Sequence, residues 1–205
     1  MTYGELKQRA LGLIFTESIT GNPIEATYNC QADYLRQIPG LLESAQTYVW
    51  QWKKVITVVM LSDLQKMPMG DVFDMYYLPD DCLQLVSIIN PHTEKRRKFL
   101  SDRFTDYRVI ENGKKVLVPV NVDDDMIVEY YKRPTSIGDN PPDSLLLEGT
   151  DEMVAVYPFY VAYNLCRYDD MGLSDRIKNE FEDRLTRLAV DPVFIEQSDI
   201  IDVYS

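Results

Sequence analysis

The sequence predicts an α+β protein: a helical bundle core, a small antiparallel β module inserted into it, and an extended C-terminal arm. Three observations carry this. Apolar residues recur at helical spacing at both ends of the chain. Between Phe73 and Tyr131 the pattern changes to short apolar runs bounded by turn residues. Beyond Asp191 helical periodicity fades and only acids remain among the charged residues. These observations place a helical core over 1–70 and 135–191, with a strand at 53–61 inside it, a β module over 71–134 and an arm over 192–205.

The first helix starts at a capping box, Thr2-Tyr-Gly-Glu5, in which the Thr hydroxyl serves the Glu amide and the carboxylate reaches back. Leu6, Ala10, Leu13 and Ile14 form its apolar stripe, and Gly21-Asn22-Pro23 ends it and opens the next. A second helix is expected from about Ile24 to Gln37, with Tyr28, Ala32 and Leu35 inward. Pro39-Gly40 then bends the path before a short helical stretch, Leu41 to Thr47. KKVITVVML at 53–61 is apolar and β-branched without alternation, which predicts a strand buried on much of both faces, by its own chain or by neighbouring subunits.

Strands are expected over Phe73–Leu78, Leu83–Ile89, Tyr107–Ile110, Val116–Val120 and Met126–Tyr131. Glu111-Asn-Gly-Lys114 is the strongest hairpin signal, since Asn and Gly tolerate positive φ. Pro134 to Pro142 reads as a linker. A third long helix follows, with Asp151 and Glu152 in its first turn and Val154, Tyr157, Val161, Leu165 and Tyr168 on its apolar stripe. Gly172 is read as its stop, and a last helix runs from Leu173 to Leu188 through Ile177, Phe181 and Leu185.

At 205 residues, with 45% apolar and 26% charged residues, the chain holds one ordinary domain or a core with one insertion, in a soluble class. No apolar run reaches the length that crosses a bilayer, so no membrane partner is expected. Cys30, Cys82 and Cys166 are scattered and odd in number, which predicts buried free thiols instead of a zinc ribbon or a disulfide framework. The net charge of −12 argues against wrapping nucleic acid, whose phosphates are held by Lys and Arg.

No chemistry-bearing motif emerges. Phosphate-cradling glycine loops, the nucleophile elbow and the paired-His zinc motif are all absent from the sequence, so no catalytic residue, metal site or cofactor is assigned. His92, beside Pro91, reads as a solvated loop residue. Asp123-Asp124-Asp125 is the best cation candidate, but cation loops alternate acids with other residues, and a solvated turn fits better. Asp169-Asp170 reads as an exposed helix end that can pair with Arg176. The tyrosines, including Tyr76-Tyr77 and Tyr130-Tyr131, fall in apolar contexts that favour packing over base stacking.

Two stretches are candidates for partner contact. Lys95, Arg96, Arg97 and Lys98 form a basic run, either a solvated loop face or a docking patch. Phe194, Ile195, Ile200, Ile201, Val203 and Tyr204 are apolar residues of the acidic arm, which is expected to order against a partner.

Three stretches resemble the head-to-tail connector, or adaptor, proteins of tailed bacteriophages. Tyr76-Tyr-Leu-Pro-Asp-Asp-Cys-Leu-Gln-Leu85 is similar to the family's aromatic-Leu-Pro-x-Asp segment. Val128-Glu-Tyr-Tyr-Lys-Arg-Pro134 is similar to its final strand, and Leu147-Glu-Gly-Thr-Asp-Glu152 through Tyr163 to its return helix. The resemblance implies a non-enzymatic virion protein of the neck, assembled in the host cytoplasm. It also implies a homo-oligomeric ring, commonly a dodecamer, between portal and tail or neck proteins, with double-stranded DNA passing through the lumen without specific binding. Such a ring seals the DNA exit and offers the tail its platform. The alternatives are a tail-tube or tail-terminator component, mostly β in structure, and a host-directed regulator or enzyme built on Asp123 to Asp125.

Overall fold

The computed structural model describes residues 1–15, 28–92, 107–120 and 125–189. Helix α1 spans Tyr3–Phe15, and its capping box is closed: the Glu5 amide donates to Thr2 Oγ1 at 3.2 Å and the Thr2 amide to Glu5 Oε2 at 3.0 Å. Leu6, Ala10 and Ile14 are fully buried.

Helix α2 runs without interruption from Tyr28 to Trp52 with Pro39 inside it, so the expected break and bend do not separate two helices. Its buried stripe is Tyr34, Ile38, Leu42, Ala45 and Val49, whereas Ala32 and Leu35 are exposed. Proline inside a helix costs about 3 kcal/mol, and each large side chain taken fully out of water returns about 1.5–3 kcal/mol. A stripe that continues in phase on both sides of Pro39 therefore outweighs the lost hydrogen bond.

Helices α3, Asp151–Cys166, and α4, Met171–Ala189, pack on each other, and α3 also packs on α1. Of the stripe expected for α3, Val154, Tyr157, Val161 and Leu165 are buried, but Tyr168 lies beyond the helix and is 90% exposed. Gly172 falls inside α4 and is not a stop. The stop is earlier: the Asp169 and Asp170 amides both donate to the Cys166 carbonyl, at 3.1 and 2.9 Å, and Asp170 then caps α4 by accepting from the Leu173 amide at 2.9 Å. Leu173, Ile177, Phe181, Leu185 and Leu188 are buried as expected.

Among the described residues seven strands form two antiparallel sheets. Strands β1 (Ile56–Met60), β7 (Ile127–Lys132) and β4 (Cys82–Ile89) give one sheet in the order β1-β7-β4. Strands β2 (Lys66–Pro68), β3 (Phe73–Tyr77), β6 (Lys115–Pro119) and β5 (Arg108–Ile110) give the other, in the order β2-β3-β6-β5. The β5–β6 hairpin forms at Asn112-Gly113 with φ of 55° and 87°, and Glu111 joins them at 50°. Strand β2 was not anticipated. The strand placed with the helical core is β1, and it pairs along its whole length with β7. It is an edge strand with Ile56 54% and Val58 60% exposed, not one buried on both faces within its own chain.

The chain forms two compact units. One holds α1, α2 up to Ala45, residues 139–147, α3 and α4; the other holds residues 46–138 and 148–150, with all seven strands. In the first unit part of the Pro-rich stretch is tied down: Tyr3 donates to the Leu145 carbonyl at 2.8 Å and Gly4 to Asp143 at 3.0 Å. Gly4 permits this approach, since a Cβ there would lie 3.2 Å from the Asp143 carbonyl oxygen. The second unit has a core of Leu61, Tyr76, Leu85, Ile88, Val116, Val118, Val128 and Tyr130 among others.

Candidate interaction surfaces

The first two family-like stretches and Glu148 of the third meet in the β unit. The Tyr130 hydroxyl donates to Asp81 Oδ1 at 3.1 Å, and the Arg133 amide donates to the Asp81 carbonyl at 2.7 Å. Lys132 Nζ lies 3.1 Å from Glu148 Oε1 and 3.9 Å from Asp81 Oδ2. Glu148 also accepts from Thr135, from the amide at 3.0 Å and the hydroxyl at 2.8 Å. Burial, and then the Asp81 carboxylate, push the Tyr130 hydroxyl up to about 12. Burial alone would raise Glu148, but the bonds from Thr135 and Lys132 outweigh it and hold the carboxyl below its usual range. These groups form a clasp that fastens the turn before β4 and the chain after β7. Each stretch is legible in the sequence and their convergence is not, because the bonded partners lie at least 13 residues apart, and Asp81 and Tyr130 lie 49 apart.

On the outer face of the β1-β7-β4 sheet, the register sets Ile56, Val58 and Met60 beside Tyr131, Glu129 and Ile127. Lys54 Nζ sits 4.6 Å above the ring of Tyr131, the register partner of Ile56. Glu129 is engaged by the Ser87 hydroxyl at 2.5 Å.

A second apolar surface lies at the β2–β3 turn, where Met67, Met69, Val72 and Val120 are 42–54% exposed. Backbone bonds hold it together: Met69 N–H donates to the Phe73 carbonyl at 3.1 Å and Val120 N–H to the Val72 carbonyl at 3.1 Å. Methionine adapts to irregular partners, which suits it to such a surface. A third is the α3–α4 corner, with Tyr168 and Met171 exposed at 90% and 72%. Asp169, read as an exposed helix end, is exposed and accepts the Tyr34 hydroxyl.

Lys95, Arg96, Arg97 and Lys98 of the basic run lie outside the described residues. So do Phe194, Ile195, Ile200, Ile201, Val203 and Tyr204 of the arm, and Asp123 and Asp124. His92 is exposed, with its amide donating to Asn90 Oδ1 at 2.9 Å and its Nε2 3.9 Å from Asp125. Among the described residues no group of three His, Cys, Asp or Glu is placed to hold a metal ion. No helix among them is long and apolar enough to cross a membrane. Cys82 and Cys166 are buried free thiols, both raised chiefly by burial, Cys166 to about 11.

A mixed α+β chain whose conspicuous surfaces are apolar faces and corners is of the kind that works through contacts with other proteins. The chain belongs to the SU10 adaptor protein family, whose model matches residues 1–199; this is a family of phage head-to-tail adaptors. It is a structural bacteriophage protein of a family that is not an enzyme family. No curated protein matches it.

Proposed function

We propose that this chain is a ring subunit of the phage neck, seated between portal and tail, that seals the DNA exit channel and carries the tail's attachment platform. The family match over residues 1–199 carries the reading. Three exposed apolar surfaces among the described residues supply faces for a neighbouring subunit, the portal and a tail protein. A net charge of −12 suits a lumen through which DNA must slide, because like charge keeps phosphates from adhering. The basic run at Lys95 to Lys98 and the acidic arm from Phe194 to Tyr204 are proposed as docking elements.

Electron microscopy of particles made without this chain tests the reading. DNA-filled heads without tails, or heads that have lost their DNA, are expected. Normal tailed particles would rule it out.

A further inference from the structure

The backbone of β1 is phased so that alternate residues face an open edge. The Lys132 amide bonds the Val55 carbonyl at 3.0 Å and the Leu61 amide bonds the Met126 carbonyl at 2.7 Å, both in register with Ile56↔Tyr131. In an antiparallel pair, residues alternate between those that bond across the ladder and those that point away. Thr57 and Val59 thus bond toward β7, while the N–H and C=O groups of Ile56, Val58 and Met60 point outward. Among the described residues no strand receives them.

Free edges are normally guarded by charge, proline, bulges or shortness. The other three sheet edges among the described residues of this unit have such guards. Strand β2 is three residues long and includes Lys66 and Pro68; β5 is three residues long and carries Arg108; β4 has register shifts between Cys82 and Gln84 and between Leu85 and Ser87. Strand β1 has none: Ile-Thr-Val-Val-Met, in continuous register, with Ile56 and Val58 exposed. Such an edge invites a strand from another chain.

We infer that the open edge of β1 receives the C-terminal segment Asp199–Tyr204 of a neighbouring copy as an added strand; this rests on the ring-subunit reading above. The segment, Asp-Ile-Ile-Asp-Val-Tyr, has β-branched and aromatic residues and neither Pro nor Gly. Six residues match the five of β1. The charges are complementary: Glu196, Asp199 and Asp202 have no Lys or Arg near them in the arm, and Lys53-Lys54 precede β1 with Val55 between. From the end of α4 at Ala189, the stretch to Asp199 can span about 33 Å when extended, enough to cross onto a neighbour. Each copy offers one edge and one arm, so the contact is head to tail and repeats around a closed ring.

Cysteine pairs test this in particles assembled with full-length chain. In a Cys30→Ser background, Val58→Cys is combined in turn with Ile200→Cys, Ile201→Cys and Val203→Cys. Mild oxidation should give a ladder of covalent dimers, trimers and higher species for at least one pair. Intrachain disulfides, covalent dimers of the Val58→Cys single variant, or no ladder with any pair would each overturn the proposal. Val58→Pro gives a second reading, because it removes a donor that faces the open edge and leaves the bonds to β7. Folding is expected to persist while β1 amide exchange in the assembled ring accelerates at least about tenfold; unchanged exchange counts against the arm. Rings that form normally without arm cross-links would sink this inference alone, whereas tailed particles lacking the chain would remove the ring reading as well.

Discussion

The Lys132 ammonium sits 3.1 Å from the Glu148 carboxylate, so the last residue of β7 is bound to a residue that lies just before α3. Glu148 is one-third exposed at its side chain, so solvent screening moderates the pair. Its hydrogen bonds to Thr135 supply the rest. Glu148→Gln is expected to lower stability by about 1 kcal/mol. The sign of the pH dependence follows from the depressed carboxyl. Its contribution is complete above the unfolded-state value of 4.5 and is lost as pH falls through the lower folded value. Thermal unfolding of both proteins from pH 7 down to about pH 3 should show the difference shrink at the acid end.

Asp170 holds the start of α4. Asp170→Ala should cost about 1 kcal/mol and Asp170→Ser should recover most of it, as read by denaturant unfolding.

Ile88 is fully buried in the core of the β unit, and Leu6 is fully buried in the helical one. Ile88→Ala and Leu6→Ala should each cost about 2–5 kcal/mol. Hydrogen exchange should show the first loosening the strands most and the second loosening α1 and α3 most.

Cys82 and Cys166 are buried, with thiols raised well above neutral pH. Alkylation at pH 8 followed by peptide mass spectrometry should leave both unmodified in the folded protein and modify both in denaturant. The thiolate is the reactive form, and burial suppresses it.

Met67→Lys with Met69→Lys tests the β2–β3 corner as a docking surface. Both residues are exposed, at 47% and 54%, so stability should change by no more than about 0.5 kcal/mol. Tail attachment, counted in micrographs, is expected to fall. Full attachment would assign the surface to another partner or to none.

Local signals were legible wherever one short segment contains all the partners. The capping box at Thr2 and Glu5 needs only four residues, and the hairpin at Asn112-Gly113 needs only a backbone able to take positive φ. The buried face of α4 follows from helical spacing alone. The order of helices, β segments and return helices, with the resemblance of three stretches, pointed to the adaptor family.

What tertiary structure decided depended on partners distant along the chain. Pro39 stays inside α2 because Ile38 and Leu42 remain buried through it, and propensity is weaker than that burial. Tyr168 is exposed because α3 ends at Cys166, where two turn amides close on one carbonyl. The β1 residues look identical in sequence whether a strand is central or at an edge. Only the pairing with β7, and the outward phase it imposes on Ile56, Val58 and Met60, distinguishes the two. A sequence specifies which side chains need cover, and the folded chain determines which of them its own residues reach.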